Sequence, residues 1–256
     1  MADDPLLVRA RELWETLADA PVSFASLDGP AVVVSPTSAL CPPSWAGLVV
    51  LGGAAIVTAP TESAAGVLRR ALASVPTDSL TRPEKVQTVL PVSEVLGPAT
   101  LAYLSGTDFR PGPVDGTAEG LDPGHPALPG LLRSAGPDDV AESGIEEITS
   151  PVFVVREGTE VVAAAGYRAW PAETAHVCVL THPQWRGRHL ARQAASAAVA
   201  HALTAGLLPQ WRARPPASRR VAQSLGFREL GSQLSIRLDL EADLKVDADS
   251  VGGAHG

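Results

Sequence analysis

Cysteine is nearly absent from this 256-residue chain, and its scarcity limits the chemistry open to the protein. The two cysteines, Cys41 and Cys178, lie far apart and have no second pair beside them. A disulfide framework needs several paired cysteines, and a cysteine zinc site needs closely spaced ones. The sequence therefore predicts neither, and we expect reduced thiols and no resident metal.

Lysine is also scarce, and acidic residues outnumber basic ones. Of the 20 basic residues only Lys85 and Lys245 are lysine, against 28 acidic residues, and the formal net charge is −8. A chain with this balance is not attracted in general to nucleic acid or to an anionic membrane surface. The arginines at 212–220 are a local exception, but aromatic residues beyond Trp211 do not interleave with them. We therefore expect no nucleic-acid partner.

Long apolar stretches are missing as well. The longest run, 46–59, is interrupted by glycines and is shorter than a membrane span. The amino terminus, MADDPLLVRA, is acidic and has no apolar signal core. We expect a soluble, cytoplasmic protein without a membrane partner. The length allows one large domain or two small ones, and the oligomeric state is left open.

The amino-terminal half alternates helix and strand patterns. Apolar residues at helical spacing predict a helix from Pro5 to about Ala20, and Thr61 begins a second predicted helix that runs to about Ser74. Three short apolar runs between them, 31–34, 48–51 and 54–58, predict buried strands. Gly52-Gly53 predicts a hairpin turn rather than a phosphate loop, because no lysine followed by serine or threonine comes after it.

The middle of the chain contains the candidate domain boundary. Thr81 and Glu84 have the spacing of a capping box, which predicts a helix over 81–91, and a strand is expected at 100–104. From Ser105 to Gly130 glycine, proline and aspartate dominate, and no apolar period survives. We therefore predict an amino-terminal α/β module at 1–130, a second domain at 131–240 and a disordered tail at 241–256.

The second domain contains an ordered series of elements. Short helices are predicted at 128–134 and 137–143. Strand patterns follow at 152–156, 160–170 and 174–181, then a long helix from Leu190, a strand at 207–212, a helix at 217–225 and a last strand at 232–238. The predicted fold class is α/β, with a mixed sheet and flanking helices preceded by a smaller α/β module.

The stretch from His176 to Gly206 runs from an apolar strand through a basic turn into the long helix without a break. Its strand is expected to stop at His182-Pro183, because proline cannot donate to a sheet ladder. The turn then contains Arg186, Gly187, Arg188 and His189. The first N–H groups of a helix have no internal partner and carry the positive end of the dipole, so this helix start is a candidate phosphate site. A solvated basic turn is the alternative.

This segment resembles the signature of the GCN5-related N-acetyltransferase (GNAT) superfamily, in which a strand ending V-x-P is followed by Q/R-x-x-G-x-G/A at a helix start. Residues 186–191, RGRHLA, stand at that place. Arg186 and Ala191 fit the signature, and His189 replaces its middle glycine. A later helix followed by Gly226-Phe227 and a strand also keeps the family's order. The resemblance covers about 151–240 and implies a GNAT-like fold there.

By this resemblance, the strand before the turn splays from its neighbour and offers main-chain groups to acetyl-CoA, the implied co-substrate. Val179, Leu180 and Thr181 would line it. Its pyrophosphate would lie at the helix start, on Arg186, Gly187, Arg188, His189, Leu190, Ala191 and Arg192. Glycine at position 189 would allow the closest approach to phosphate. The histidine instead weakens the cradle, points outward or donates a hydrogen bond, and the sequence leaves all three open.

The chain departs from the family at two further places. The family often has a tyrosine on the helix before Gly-Phe as proton donor to the departing thiolate, and Val221 and Ala222 occupy that region here. Pro215 replaces a frequent asparagine ahead of that helix. One contact to the coenzyme and the usual general acid are therefore missing from the pattern.

The remaining candidates for proton transfer come from neighbouring strands. Tyr167 is expected to be nearer the cleft than Tyr103, the only other tyrosine. Glu173 and His176, at the entry to the splayed strand, are candidate bases for the ammonium of the acceptor, with purely structural roles as the alternatives. Cys178 has no neighbouring histidine and asparagine pattern that would support a covalent mechanism.

These features predict an N-acetyltransferase that moves an acetyl group from acetyl-CoA to a primary amine by direct transfer. The acceptor is expected to be a small-molecule or peptide amine. The alternative is a catalytically silent acyl-CoA-binding sensor or partner-binding module, which the missing tyrosine, Pro215 and His189 favour.

Overall fold

A computed structural model describes residues 4–24, 29–112 and 118–239 of the chain. Contacts between residues divide the chain into two compact units. The first runs to Thr100 and resumes at Leu230, and the second is Leu101–Glu229. The domain bounds 1–130 and 131–240 stay a prediction, because compact units need not coincide with domains. The predicted tail at 241–256 lies outside the described residues.

The described residues of the first unit form three α-helices. The helix α1 spans Pro5–Leu17; the Asp4 carboxylate accepts a hydrogen bond from the Leu6 N–H at 3.1 Å, and proline occupies the first helical position. The second, α2, spans Glu62–Leu72, and the Thr61 hydroxyl caps its start. The third, α3, spans only Pro83–Val86. Across the described ranges, no helix has both the length and the apolar character needed to cross a bilayer.

Five of the described strands belong wholly or mainly to the first unit. They are β1 (Ala31–Val34), β2 (Ala46–Leu51), β3 (Ala54–Ala59), β4 (Val92–Tyr103) and β10 (Arg228–Leu238). Their order is β1-β3-β2-β10-β4, with β1 parallel to β3 and β2 antiparallel to both β3 and β10. Gly52 and Gly53 join β2 to β3 with φ of 58° and 81°, so the predicted hairpin turn is confirmed.

The predicted capping box at Thr81 is wrong. The residue at the start of α3 is Arg82, and it makes no side-chain capping bond. Thr81 is instead buried, and its hydroxyl lies 2.5 Å from the Ser232 hydroxyl. A hydroxyl taken out of water needs a partner, and here the distant strand provides it in place of the helix. The helix α3 spans four residues and does not continue to Pro91.

The described residues of the second unit form a sheet of five strands. Its strands are β5 (Glu119–Leu121), β6 (Val152–Glu157), β7 (Glu160–Trp170), β8 (Thr174–Thr181) and β9 (Leu208–Ala213), in the order β9-β8-β7-β6-β5. Neighbours from β5 to β8 are antiparallel, and β8 and β9 are parallel. The predicted α/β class is confirmed. The short strand β5 was not predicted, because Gly and Pro around it hide any alternation.

Four helices flank this sheet: α4 (Leu128–Ala135), α5 (Pro137–Ser143), α6 (Leu190–Thr204) and α7 (Pro216–Ser224). On one face α6 and α7 cover a core that includes Val177 and Trp211. On the other face α4 and α5 cover a core that includes Cys178 and Leu180. Successive residues of β8 thus enter different cores, as the two-residue period of a strand requires.

The loop after β4 is held in place through its backbone. The Arg110 N–H donates to the Leu225 carbonyl at 2.9 Å, and the Gly112 N–H donates to the Ser196 hydroxyl at 2.8 Å. Gly226, which follows α7, has φ of +97°, and a Cβ added there would overlap the carbonyl oxygen of Asp108. Only glycine fits this close approach of two backbones.

We expect Gly226→Ala to lower the free energy of unfolding by more than about 2 kcal/mol, because it adds both backbone strain and a clash with main chain. Gly130→Ala is the matched control, since nothing lies within 4 Å of that Cβ position in α4. It should raise the stability by about 0.5–1 kcal/mol through helix propensity. Urea unfolding of both variants checks the expectation, and equal stabilities would contradict it.

Candidate active site

The strands β8 and β9 pair at their starts and separate at their ends. The parallel register joins Thr174 to Leu208 and ends at the pair His176 and Gln210. Beyond that pair, residues 177–181 and 211–213, all within the described ranges, form no ladder pair with each other. Main-chain N–H and C=O groups on the two facing edges are thereby left for other partners. We call this opening the fork, and it has the splay that the resemblance implied.

Three predicted cofactor residues occupy the unpaired part of β8. Val179 packs against the core under α6, and Leu180 is buried in the core under α4. Thr181 ends the strand. The side chains of Val179 and Leu180 pack into the two cores. In this part of β8 it is therefore the main chain that is available to a ligand. Their contact with acetyl-CoA stays a prediction.

A short 3-10 turn, Pro183–Trp185, leads from β8 to α6. His182 caps the turn, its Nδ1 accepting a hydrogen bond from the Gln184 N–H at 3.2 Å. Gly187 follows with φ of +80°, and no atom lies within 4 Å of the place its Cβ would take. The Arg188 guanidinium lies over the indole ring of Trp185, 4.6 Å from the ring centroid. The open main chain at Gly187 adjoins the first N–H groups of α6, and this is the geometry of an anion site.

The other two arginines of this region have partners of different kinds. Arg186 pairs with Asp139 of α5 at 2.5 Å, and both side chains are about half exposed. Arg192 donates to the Pro111 carbonyl at 3.3 Å, while its buried Nε has no hydrogen-bond partner in the described part of the chain. An exposed ion pair contributes only about 0–1 kcal/mol. A phosphate can therefore replace Asp139 at Arg186 at small cost.

His189 stands at the cap position of α6 with φ of +62°, in the left-handed region. Its side chain is exposed and makes no capping hydrogen bond. Glycine enters this region freely, whereas a residue with a Cβ loses about 1–2 kcal/mol there. The backbone thus keeps a conformation that suits the glycine of the family signature, and the histidine adopts it under strain. Leu190 and Ala191 then begin the helix.

The His176 side chain is fixed at the last ladder pair before the fork. Its ring stacks on Trp170, with centroids 4.1 Å apart and planes 8° apart. Its Nδ1 lies 2.5 Å from Oε1 of Gln210, so Nδ1 carries the proton and donates it. Gln210 is fully buried, and its amide nitrogen has no hydrogen-bond partner among the described residues. A fixed imidazole and an unpaired buried donor thus lie beside the fork.

Burial lowers the pKa of His176 to about 3, with a further contribution from the positive charges of Arg212 and Arg168 and an opposing one from the Gln210 hydrogen bond. The ring is therefore neutral at physiological pH, and it is a weak base. An efficient general base has a pKa near the working pH. Burial also raises the pKa of Cys178 to about 12, which keeps that thiol protonated and unreactive.

The structure does not bring the three predicted catalytic residues together. Tyr167 is 6% exposed beneath α6, its hydroxyl 2.9 Å from Nδ1 of His201. It therefore lies on the opposite face of the sheet from its neighbour Arg168, which pairs with His176. Glu173 is exposed in the turn before β8, roughly 10 Å along the chain from His176 at about 3.3 Å per residue. Neither side chain lines the fork.

Two residues of this site, Gln210 and Trp170, were missed by the sequence analysis. A signal for the first was present, because glutamine inside the apolar strand Leu208–Ala213 is a polar group that needs a buried partner. No sequence pattern indicated the stacking of Trp170 on His176, because these residues meet only through the pairing of β7 with β8. In the described ranges, no group of three or more His, Cys, Asp or Glu side chains is placed to hold a metal ion.

Comparison with known proteins identifies one family. Residues 152–232 match the family model described as GNAT acetyltransferase. The match covers the strands β6 to β9, the helices α6 and α7 and the start of β10, and so it includes the fork and the start of α6. No curated protein matches the sequence at a significant level.

Solved structures of low similarity also match. A GNAT-family protein from Novosphingobium aromaticivorans DSM 12444 is 22% identical, with 57% of this chain and 65% of that chain covered and a TM-score of 0.45. A GCN5-related N-acetyltransferase from Kribbella flavida is 18% identical, with coverages of 56% and 58% and a TM-score of 0.43. A protein from Salmonella typhimurium, solved with its cofactor acetyl-CoA, is 25% identical, with coverages of 35% and 65% and a TM-score of 0.30. The chain thus spans less than two thirds of each, and the assignment depends on the family model.

We expect His189→Gly to raise the free energy of unfolding by up to about 1 kcal/mol, because relief of left-handed strain exceeds the added freedom of glycine in the unfolded chain. His189→Ala is the control, since it removes the imidazole but keeps the Cβ and its strain. Urea unfolding of the two variants checks this. An equal gain from alanine would show that the imidazole, rather than the backbone, causes the effect.

We expect His176 to make stability depend on pH between about 6.5 and 3. The unfolded imidazole binds a proton below its ordinary pKa of 6.5, while the folded one stays neutral down to about 3. The unfolded state therefore holds more protons in this window, and stability falls as the pH falls. Unfolding of the protein and of His176→Gln at pH 7.5 and 5 measures the effect. The variant should lose less stability on acidification, and identical losses would refute the assignment.

Proposed function

Residues 152–232 belong to the GNAT acetyltransferase family, and on that premise we propose that the protein is an acyltransferase that moves an acetyl group from acetyl-CoA to a primary amine by direct transfer. The observation that carries the proposal is the fork. It opens after the pair of His176 and Gln210 and is followed by a short turn that ends at the start of α6. One continuous stretch of chain thus provides a slot for an extended arm and a site for phosphate.

The described residues fit acetyl-CoA in charge and in hydrogen bonding. The helix start offers N–H groups, and Arg186 and Arg192 offer positive charge for the pyrophosphate. The free edge of β8 offers main-chain groups for the amides of the pantetheine arm. The unpaired amide nitrogen of Gln210 is a buried donor that lacks an acceptor, and a carbonyl oxygen would supply one.

Acetyl transfer depends more on the positioning of the amine and the thioester than on strong acid or base groups. The amine nitrogen forms one N–C bond, the C–S bond breaks, the nitrogen gives up one proton, and the departing sulfur can take one up. Acetyl-CoA supplies the activated thioester. A thiolate leaves readily because thiols ionise far more easily than alcohols. This chemistry tolerates a site in which Tyr167 is turned away beneath α6.

We assign His176 a positioning role in this reaction. With Nδ1 donating to Gln210, the lone pair of the neutral ring is on Nε2, where it can accept a hydrogen bond from an amine N–H. A pKa of about 3 keeps the ring from holding the proton that the amine releases. Water reached through the open end of the fork is the final acceptor in this proposal.

A second candidate function is favoured by the low basicity of His176. A protein that binds acetyl-CoA in the fork without transferring the acetyl group would need neither Tyr167 nor a basic His176 near the thioester. It would act as a sensor or partner-binding module. The pairing of Arg186 with Asp139 also suits it, because release of α5 on phosphate binding would report the ligand.

We expect acetyl-CoA to bind with micromolar to millimolar affinity, and Arg186→Ala to weaken binding about tenfold, because a charge-assisted hydrogen bond to phosphate is worth about 1.5 kcal/mol or more. Arg70→Ala is the matched control: it removes an exposed arginine from α2 and should leave the affinity unchanged. Isothermal titration measures both. Absence of binding by the unaltered protein at millimolar ligand would remove the proposal.

Thiol release separates the two candidate functions. The protein is incubated with acetyl-CoA and a panel of primary amines, and free thiol is measured against a sample without amine. Amine-dependent release supports transfer. Binding of acetyl-CoA with no release by any amine supports the sensor and contradicts transfer.

A further inference from the structure

A cavity of about 220 Å³ lies beneath α4, on the face of the sheet that carries Cys178 and Leu180. Most of the side chains in its lining are apolar. They include Leu128 and Leu131 of α4, Ile145 of the following turn, and Val152 and Ala164 from the floor of the sheet. An engineered cavity of about 150 Å³ with similar walls stays dry and binds benzene. This cavity is therefore large enough for an apolar group somewhat bigger than a phenyl ring.

Among the described residues that line the cavity, the charged one is Glu146. Acidic residues around it pair with arginines: Asp139 with Arg186, Glu142 with Arg214 and Glu147 with Arg168. Glu146 is exposed and makes no ion pair with any described residue. A carboxylate at an apolar cavity favours a cationic ligand over a neutral or anionic one of the same shape. The lining thus fits an ammonium group on an apolar skeleton.

The cavity floor lies next to the strand that borders the fork. Ala164 of β7 pairs directly with Leu180 of β8 in the antiparallel ladder. Neighbouring strands lie about 4.8 Å apart, so the floor is one strand from the free edge of β8. A ligand of moderate length with its apolar end under α4 can therefore place a nitrogen near that edge.

We propose that this cavity binds the apolar part of the acceptor, and that the acceptor class is a primary amine on an apolar skeleton of roughly six to nine heavy atoms, scaled from benzene in 150 Å³. Glu146 attracts its ammonium form, and the apolar side chains of the lining favour such a skeleton over polyamines and amino sugars. That the bound amine is an acceptor rests on the proposed transferase function. The binding of the amine to the cavity does not depend on transfer. The same apolar space could instead take a long acyl chain of the thioester, and the experiment separates these two sources.

The first experiment measures binding without coenzyme A. Isothermal titration of the full chain compares 2-phenylethylamine with 2-phenylethanol, which has the same skeleton without the charge. We expect the amine to bind at least fivefold more tightly. Glu146→Gln should remove most of that difference, whereas Asp138→Asn, an equal change of charge at an exposed site of α5 outside the cavity lining, should keep it. Equal binding of amine and alcohol by the unaltered protein would overturn the inference.

A second variant tests the cavity volume. Ala164→Leu places three more carbon atoms into the floor and should weaken 2-phenylethylamine binding at least tenfold. Far-ultraviolet circular dichroism checks that the variant is folded, and if it is not, Glu146→Gln still decides the outcome. A folded Ala164→Leu variant that binds the amine as tightly as the unaltered protein would also overturn the inference.

Thiol release then distinguishes failure of the inference from failure of the proposed function. Release with ethanolamine that 2-phenylethylamine does not exceed would overturn the acceptor class while transfer stands. Cavity-dependent binding of the amine without release by any amine would remove transfer while the amine site stands. If Ala164→Leu impairs octanoyl-CoA but leaves the preference among amines unchanged, the cavity holds the acyl chain, and the inference is overturned.

Discussion

The second unit is organised around the point at which two parallel strands stop pairing. After His176 and Gln210, β8 and β9 continue as strands without hydrogen bonds between them. Unpaired main-chain groups in a protein interior are unfavourable unless something satisfies them. The unpaired main-chain groups of the fork are therefore candidate partners for a ligand. Each predicted coenzyme residue lies on the fork or in the turn and helix that follow it.

The two faces of the sheet separate two tasks. On the side of α6, small residues such as Ala194 and Ala198 allow the helix to pack close to the strands, which holds its amino terminus at the end of the fork. On the side of α4 and α5, the floor contains Ala164 and leaves a cavity. Because successive residues of β8 enter opposite cores, the main chain of one strand is shared between the coenzyme side and the proposed acceptor side.

Charge around the fork is arranged in pairs that are easily exchanged. Two ion pairs connect α5 to the chain that follows the fork strands. Asp139 pairs with Arg186 after β8, and Glu142 pairs with Arg214 after β9. These side chains are all at least about a third exposed, so each pair contributes little to stability. The arginines are thus kept in position before a phosphate arrives, and a more highly charged anion can displace their partners. His176 is different, because burial keeps it neutral and fixed.

The sequence by itself predicted the order of the helices and strands apart from β5, the hairpin at Gly52-Gly53 and the resemblance of the carboxy-terminal part to the GNAT family. These follow from local signals: the two periods of apolar residues, turn residues and a signature of adjacent residues. The same local reasoning failed at Thr81, whose hydroxyl bonds to Ser232 from a strand 151 positions away. It could not decide which face of β7 holds Tyr167, because a shift of one residue reverses the faces. Tertiary structure alone decided the partner of His176, the pairing of Arg186 with Asp139 and the cavity beneath α4, since each depends on contacts between residues remote in the chain, which no local pattern encodes.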